Sequence, residues 1–324
     1  MHPDIIKLLK CPKSKQSLFF NNEYLVSEDN EYKYKIDEGI IRLIKNIDDI
    51  NTSTVREFYM DDPFPNYNSF DNLDNFIKKM SSNYYIQSIL KLINPNDKVL
   101  EFGCGTGQLG NYLSAMSYSN IVGADLTINS LKMANNFKKK NNLKGIEFIE
   151  TDVFKPCFKD KSFDLVICSG VLHHTVDPYM GFQNLLKYVK DDGYIVIGLY
   201  NKISRFKNFI IKFLSYFIGK FAFQFFDPIY KKKDFKSKIS WLKDQYYHPL
   251  EKRYTFADLH KWYKDNNIEF LNSIPSYNKN YPFHQKISKG DKTDEFNIQI
   301  IDFFENNEGG LFLFLGKKIK KLHK

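Results

Sequence analysis

Residues 99–107 read Val-Leu-Glu-Phe-Gly-Cys-Gly-Thr-Gly: a short apolar strand carrying an acid, then three glycines at alternate positions. Alternating glycines directly after a strand let the chain turn sharply and let a ligand approach the backbone. Gly103, Gly105 and Gly107 are therefore the first candidate binding residues. Glu101 is the unusual member. A carboxylate beside a phosphate would repel it, so this stretch suits a cationic ligand better than an anionic one.

Working outward, strands and helices alternate. Upstream, residues 71–94 carry helical periodicity that stops at Asn94-Pro95. Downstream, KVLEF, NIVGADL, GIEFIETDV, SFDLVICSG and YIVIGLY read as strands, with helices over 107–117, 127–140 and 177–190. A helix over 255–267, a strand IEFLNSI and a glycine-led strand GGLFLFLGKK complete the series. This order implies an α/β fold with a parallel sheet and helices on both faces. Ligands in such sheets bind beyond the carboxyl ends of the strands. Asp125 ends the second strand, where an acid can take ribose hydroxyls; Asp152 ends the third; Ser169 ends the fourth. Helix capping is the competing reading for Asp125 and Asp152.

The glycine stretch resembles motif I (ExGxGxG) of the class I S-adenosylmethionine (SAM) methyltransferases, and Gly170–His174, GVLHH, resembles a signature of one broad branch of them. The resemblance covers about residues 71–200 and 255–318. It implies a Rossmann-like, seven-stranded, mostly parallel sheet, with the last strand antiparallel beside the fifth. It also implies SAM as cofactor, a sulfonium and ammonium compound without phosphate, in place of a nicotinamide dinucleotide. By that resemblance Asp125 and the adjacent Leu126 serve the ribose side. Asp152 meets the adenine amino group, the Val153 N–H meets an adenine ring nitrogen, and Ser169 flanks the methionine part.

On the acceptor side, His173 and His174 are candidate general bases, since imidazole titrates near neutrality; purely structural roles compete. Tyr200 and Asn201 follow the fifth strand, at the edge that contacts acceptors in this fold. Residues 244–251, DQYYHPLE, are dense in polar and aromatic groups. Tyr246, His248 and Glu251 are candidate acceptor contacts there, with His248 and Glu251 a second acid–base pair. Residues 48–70 read as an aromatic linker. Tyr59, Phe64 and Tyr67 either form a lid whose rings face the sulfonium or simply pack on the domain edge.

Residues 1–47 resemble a zinc-ribbon module that has lost its metal. Cys11-Pro12 remains of one knuckle, but Ser14, Ser27 and Asn30 stand where further ligands belong, and one thiolate cannot hold tetrahedral zinc. No metal is expected. The divisions are thus 1–47 ribbon-like, 48–70 linker or lid, 71–200 cofactor core, 201–253 basic helical insert, and 254–324 the rest of the core.

The 324-residue chain is 43% hydrophobic and 16% aromatic, with a net charge of +9. The excess is local: residues 201–240 hold ten basic and two acidic residues. Three readings of 203–233 compete: a cap over the acceptor pocket, an amphipathic surface on an anionic membrane or lipid-like acceptor, and a nucleic-acid contact. Bulky aliphatics disfavour the last. Four scattered cysteines suggest no disulfide framework. The N-terminus lacks a secretory apolar core, and no spanning helix is expected, so the expected location is cytoplasmic, with peripheral membrane contact through the insert. The expected activity is methyl transfer from SAM to a small-molecule or lipid-like acceptor. The alternatives are an RNA methyltransferase and a non-catalytic binding subunit of the same fold.

Overall fold

The computed structural model describes residues 3–44, 47, 49–65, 67, 72–227, 230, 235–305 and 309–320. After a helical turn, α1 (Pro3–Ile6), four strands form an antiparallel meander: β1 (Leu18–Asn21), β2 (Tyr24–Ser27), β3 (Lys33–Asp37) and β4 (Ile40–Arg42). Residues 33–42 thus form two strands. Glu38 and Gly39 adopt positive φ (54° and 93°) and fold them into a hairpin.

Helix α2 (Ile50–Asp61) follows, capped by the Asp49 carboxylate, which accepts from Thr52 N. It replaces the first half of the expected linker. The 71–94 helix is two helices, α3 (Leu73–Ser81) and α4 (Tyr84–Leu90). Asn83 divides them by capping the second, accepting from Ile86 N at 3.2 Å.

The core strands are β5 (Lys98–Phe102), β6 (Asn120–Asp125), β7 (Ile146–Glu150), β8 (Phe163–Ser169) and β9 (Val189–Tyr200). Between them run α5 (Gln108–Met116), α6 (Ile128–Lys140) and α7 (Pro178–Tyr188). The insert contributes α8 (Phe206–Ile218), α9 (Phe221–Phe226) and α10 (Phe235–Tyr246). The chain then adds α11 (Phe256–Asp265), β10 (Ile268–Ile274), α12 (Lys292–Glu305) and β11 (Leu311–Lys318). Thr255 and Asp258 form a reciprocal capping box at the start of α11.

One sheet runs β1-β2-β3-β4-β7-β6-β5-β8-β9-β11-β10. Its last seven members are the expected seven-stranded core, and β11 lies antiparallel beside β9, with Phe314 opposite Ile197. The sheet has eleven strands because the N-terminal meander continues it: β4 pairs parallel with β7, Ile41 opposite Ile149. An uncovered β7 edge would leave a row of backbone groups unpaired. The join is also ionic. Glu150, fully buried, meets Arg42 Nε at 2.6 Å and Arg56 Nη2 at 2.8 Å. Ile5, Leu9 and Cys11 share one apolar cluster with Phe158 and Phe163. The described residues of this N-terminal segment thus extend the core sheet and share its apolar cluster.

Strand periodicity sorts the core onto two faces. Leu100 and Phe102 pack in the cluster that holds α7 and α11, while Val99, one residue out of phase, packs with α3, α4 and α5. The open sheet thus carries helices on both sides, and its carboxyl strand ends converge on one cleft.

Candidate active site

That cleft is a cavity of about 460 Å³ at the tips of β5, β6, β7 and β8. Its floor is the glycine loop. Gly105 sits at φ 52°, and a Cβ there would collide with the Phe64 carbonyl. Gly107, at φ 70°, opens α5, and a Cβ would press on Ala134 and Phe148 at 2.7 and 2.8 Å. Gly107 is thus a packing glycine and does not line the cavity, whereas Gly103 and Gly105 do.

Glu101 lies at the end of β5 and turns under the start of α5. Its Oε2 accepts the Gly110 N–H at 2.9 Å. The first N–H groups of a helix are the usual seat of a phosphate, and here the protein's own carboxylate takes one of them. Burial pushes the Glu101 carboxyl up to about 8; the Gly110 bond opposes this, and the neighbouring Asp125 charge adds to it.

Asp125 ties two elements together. Its Oδ2 accepts from Gly105 N at 2.8 Å, and its Oδ1 accepts from Thr127 N at 2.9 Å and Thr127 Oγ1 at 2.7 Å. Burial raises its pKa against these bonds. Three of about four lone-pair sites are used, which leaves one for a ligand. Asp152 Oδ1 accepts from Phe154 N at 2.9 Å, and burial raises this carboxyl too. Leu126, Val153 and Ser169 join these acids on the cavity wall. The lining, among the described residues, includes Glu101, Asp125, Asp152 and Asp244 but neither lysine nor arginine.

The two GVLHH histidines part company. His173 is fully buried, stacked on Tyr200 at 3.9 Å between centroids, and neither ring nitrogen has a partner among the described residues. Burial holds it neutral, far below the usual imidazole range. It does not line the cavity; His174 does. His174 Nδ1 lies 2.7 Å from the Leu250 carbonyl, which can only accept, so Nδ1 carries the proton and Nε2 the lone pair. Burial lowers its pKa to about 4.

His248 stacks on His174 at 3.6 Å with the opposite tautomer, since its Nδ1 accepts the Leu250 N–H at 3.1 Å. Burial and the adjacent His174 lower its pKa to about 3. It supports His174 and is not part of the lining.

The remaining acceptor candidates divide in the same way. Tyr59 and Tyr200 line the cavity, with Tyr59 OH donating to Asp244 Oδ1 at 2.9 Å. Asn201 is buried and holds the turn before α8, its Oδ1 accepting from Ile203 N and Ser204 N. Tyr246 OH donates to Asp227 at 3.0 Å. Glu251 pairs with the fully buried Arg205, which also donates to Gln245 and Gly309. Burial opposes ionisation of Glu251, but Arg205 outweighs it and leaves the carboxyl below its usual range. The expected His248–Glu251 acid–base pair is therefore not formed: each has a different structural partner. Tyr67 donates to the Thr106 carbonyl at 2.9 Å and stacks on Phe137 at 4.4 Å. It packs over the glycine loop without entering the cavity, whereas Phe64 lines it.

Trp241 and Leu311 also line the cavity and were not anticipated. The spacing of Trp241, Asp244 and Gln245, three and four residues apart, was the available signal for one helix face. Leu311 is placed by the sheet order alone.

Residues 93–252 match the family model described as a methyltransferase domain. The matched segment contains the glycine loop, both strand-end acids, GVLHH and the insert up to residue 252. The ubiquinone biosynthesis O-methyltransferase of Rickettsia akari (strain Hartford) is 26% identical over 147 residues, 45% of this chain and 55% of that protein. Phosphoethanolamine N-methyltransferase 1 of Arabidopsis thaliana is 25% identical over 166 residues, 51% of this chain and 31% of that protein. The chain thus spans only about half the length of the first relative. A solved structure of PKMT2 from Rickettsia typhi superposes with a TM-score of 0.52 at 16% identity, covering 74% of this chain and 55% of that one. That likeness is one of fold, a Rossmann-like methyltransferase sheet. Among the described residues no group of His, Cys, Asp or Glu is placed to hold a metal ion, and no helix is long and apolar enough to cross a membrane.

Proposed function

We propose that this chain is a SAM-dependent methyltransferase acting on a small-molecule or lipid-like acceptor. One observation carries the reading: buried carboxylates line a cavity to which no lysine or arginine contributes among the described residues. A phosphate-bearing dinucleotide would meet like charge there. A cationic ligand relieves the burial cost that now raises Glu101 and Asp125. SAM supplies a methyl group on a sulfonium, open to in-line displacement by the acceptor.

The chain's own residues bind and orient. Glu101, Gly103, Gly105 and Ser169 would hold the methionine side. Asp125, with Leu126 beside it, would take a ribose hydroxyl on its remaining lone pair. Asp152 would accept from the adenine amino group through the Oδ2 left free by Phe154, and the Val153 N–H would meet a ring nitrogen. Tyr59, Tyr200, Trp241, Leu250 and Leu311 would wall the acceptor and exclude water, so that orientation and desolvation supply most of the rate. His174 Nε2 is the lone pair available to an acceptor proton. Residues 3–44 are a ribbon-like extension that caps the sheet edge, with Tyr34 OH 3.1 Å from Cys11 Sγ.

The test is transfer of labelled methyl from SAM in the presence of a cell extract, followed by partition into organic-soluble, small-molecule and RNA fractions. Label in the organic-soluble or small-molecule fraction supports the proposal. Salt-sensitive label in RNA contradicts it.

A further inference from the structure

Helix α8 buries a narrow face, Asn208 and Ile211, and turns most of its apolar side chains to solvent. Asn208 is buried, Lys212 Nζ donates to the Tyr246 carbonyl at 2.6 Å, and Ser204 and Arg205 just before the helix are buried. On the opposite face Phe206, Phe209, Ile210, Phe213 and Phe217, three and four residues apart, are 39–73% exposed. Helix α9 extends the row with Phe221 and Phe225. Neighbouring rings pair along it, Phe213 with Phe217 at 5.2 Å between centroids. A water-facing helix buries its apolar stripe; this one buries Ile211 but leaves the longer phenylalanine row exposed. A contiguous exposed apolar face of this kind marks an interaction surface.

Charge identifies the occupant. No acid occurs between Asn201 and Phe226, while Lys202 and Lys220 are exposed at either end of α8. The next acid, Asp227, is buried and bonded to Trp241 Nε1 at 2.8 Å. A second copy of the chain on this face would bring cations against cations. An anionic lipid surface accepts both the phenylalanine row and its cationic ends.

We propose that α8 and α9 dock on an anionic bilayer, with the phenylalanine row in the interface, and that the acceptor reaches the cavity from that side. The second half rests on the methyl-transfer reading. It follows from the layering: α8 packs on α10, and Trp241, Asp244 and Gln245 of α10 line the cavity.

The full chain is tested by flotation with vesicles of phosphatidylcholine alone or with about 30 mol% phosphatidylglycerol, at about 0.1 M and about 0.5 M NaCl. Two variants accompany it, Phe209→Ser/Phe213→Ser/Phe217→Ser and Lys202→Glu/Lys220→Glu. SAM affinity, measured by calorimetry, serves as the control, since none of these side chains lines the cavity. Binding is expected to be at least tenfold stronger to the anionic vesicles, to weaken at the higher salt, and to fall at least tenfold in each variant with SAM affinity unchanged. Should the triple variant fail to fold, the lysine pair and the salt series decide. Absent or charge-independent vesicle binding overturns the proposal. So does self-association of the parent chain that the triple variant abolishes without any vesicle binding. If the parent chain does not bind SAM, the methyl-transfer reading fails while the docking result stands.

Discussion

The Gly105 backbone N–H donates to Asp125 Oδ2 at 2.8 Å, so the tip of the second core strand fixes the middle of the glycine loop that ends the first. One carboxylate both shapes the loop and keeps a lone pair for a ligand. Replacing Asp125 by Ala leaves the Gly105 and Thr127 donors without an acceptor, a cost of about 1–3 kcal/mol. The expected outcome is a chain that still folds, with a lower melting temperature and at least tenfold weaker SAM binding. Unchanged affinity would place the ribose elsewhere.

Glu101 makes ligand binding proton-linked. Its pKa of about 8 lies above the ordinary carboxyl value, so the folded chain holds a proton that the unfolded chain has lost between about pH 4.5 and 8. Stability from this group is present below that window and falls as pH rises through it. A bound cation favours the carboxylate, so binding at pH values below about 8 should release a proton. Calorimetry in buffers of different ionisation enthalpy reads that proton, and Glu101→Gln should abolish it.

His174 is expected to matter for turnover more than for cofactor affinity. Substitution by Ala should lower kcat by about 10²–10⁴-fold if it takes the acceptor proton, with SAM affinity little changed. Because burial lowers its pKa to about 4, the imidazole stays neutral through physiological pH. The rate should therefore show no His174-dependent limb between pH 6 and 8, only a fall on approach to about 4. A limb near 6.5 that disappears in the variant would contradict this environment.

Arg205 tests the separation of scaffold from site. It is fully buried against Glu251, Gln245 and the Gly309 carbonyl, and its guanidinium carbon lies 4.0 Å from the Tyr200 ring centroid. Arg205→Ala leaves the Glu251 carboxylate with only the exposed Arg253, at 2.7 Å, and urea denaturation should show a loss of about 3 kcal/mol. A loss of activity at full stability would instead return Glu251 to the acceptor site.

The alternating core was legible because each strand carries its own apolar run and the first four are closed by an acid or a glycine, Gly103, Asp125, Asp152 and Gly170. Asp125, Asp152 and the loop glycines could be placed from spacing alone. The α2 helix was not legible, since it buries only Thr52 and Val55 and its aromatic neighbours read as loop. The meander's union with β7 depends on pairing between residues more than 100 positions apart, Ile41 with Ile149, which no local pattern encodes. His173 and His174 are adjacent in sequence yet play different parts. What separates them is the Leu250 carbonyl, 76 residues away, which fixes the tautomer of one and leaves the other enclosed.

The most direct measurement is a calorimetric titration of the full chain with SAM, with a nicotinamide dinucleotide as comparison. The account expects saturable one-to-one binding of SAM in the range of about 1 μM to 1 mM and none of the dinucleotide. No heat at near-millimolar SAM, or preference for the phosphate-bearing ligand, would contradict a cavity built for a cation.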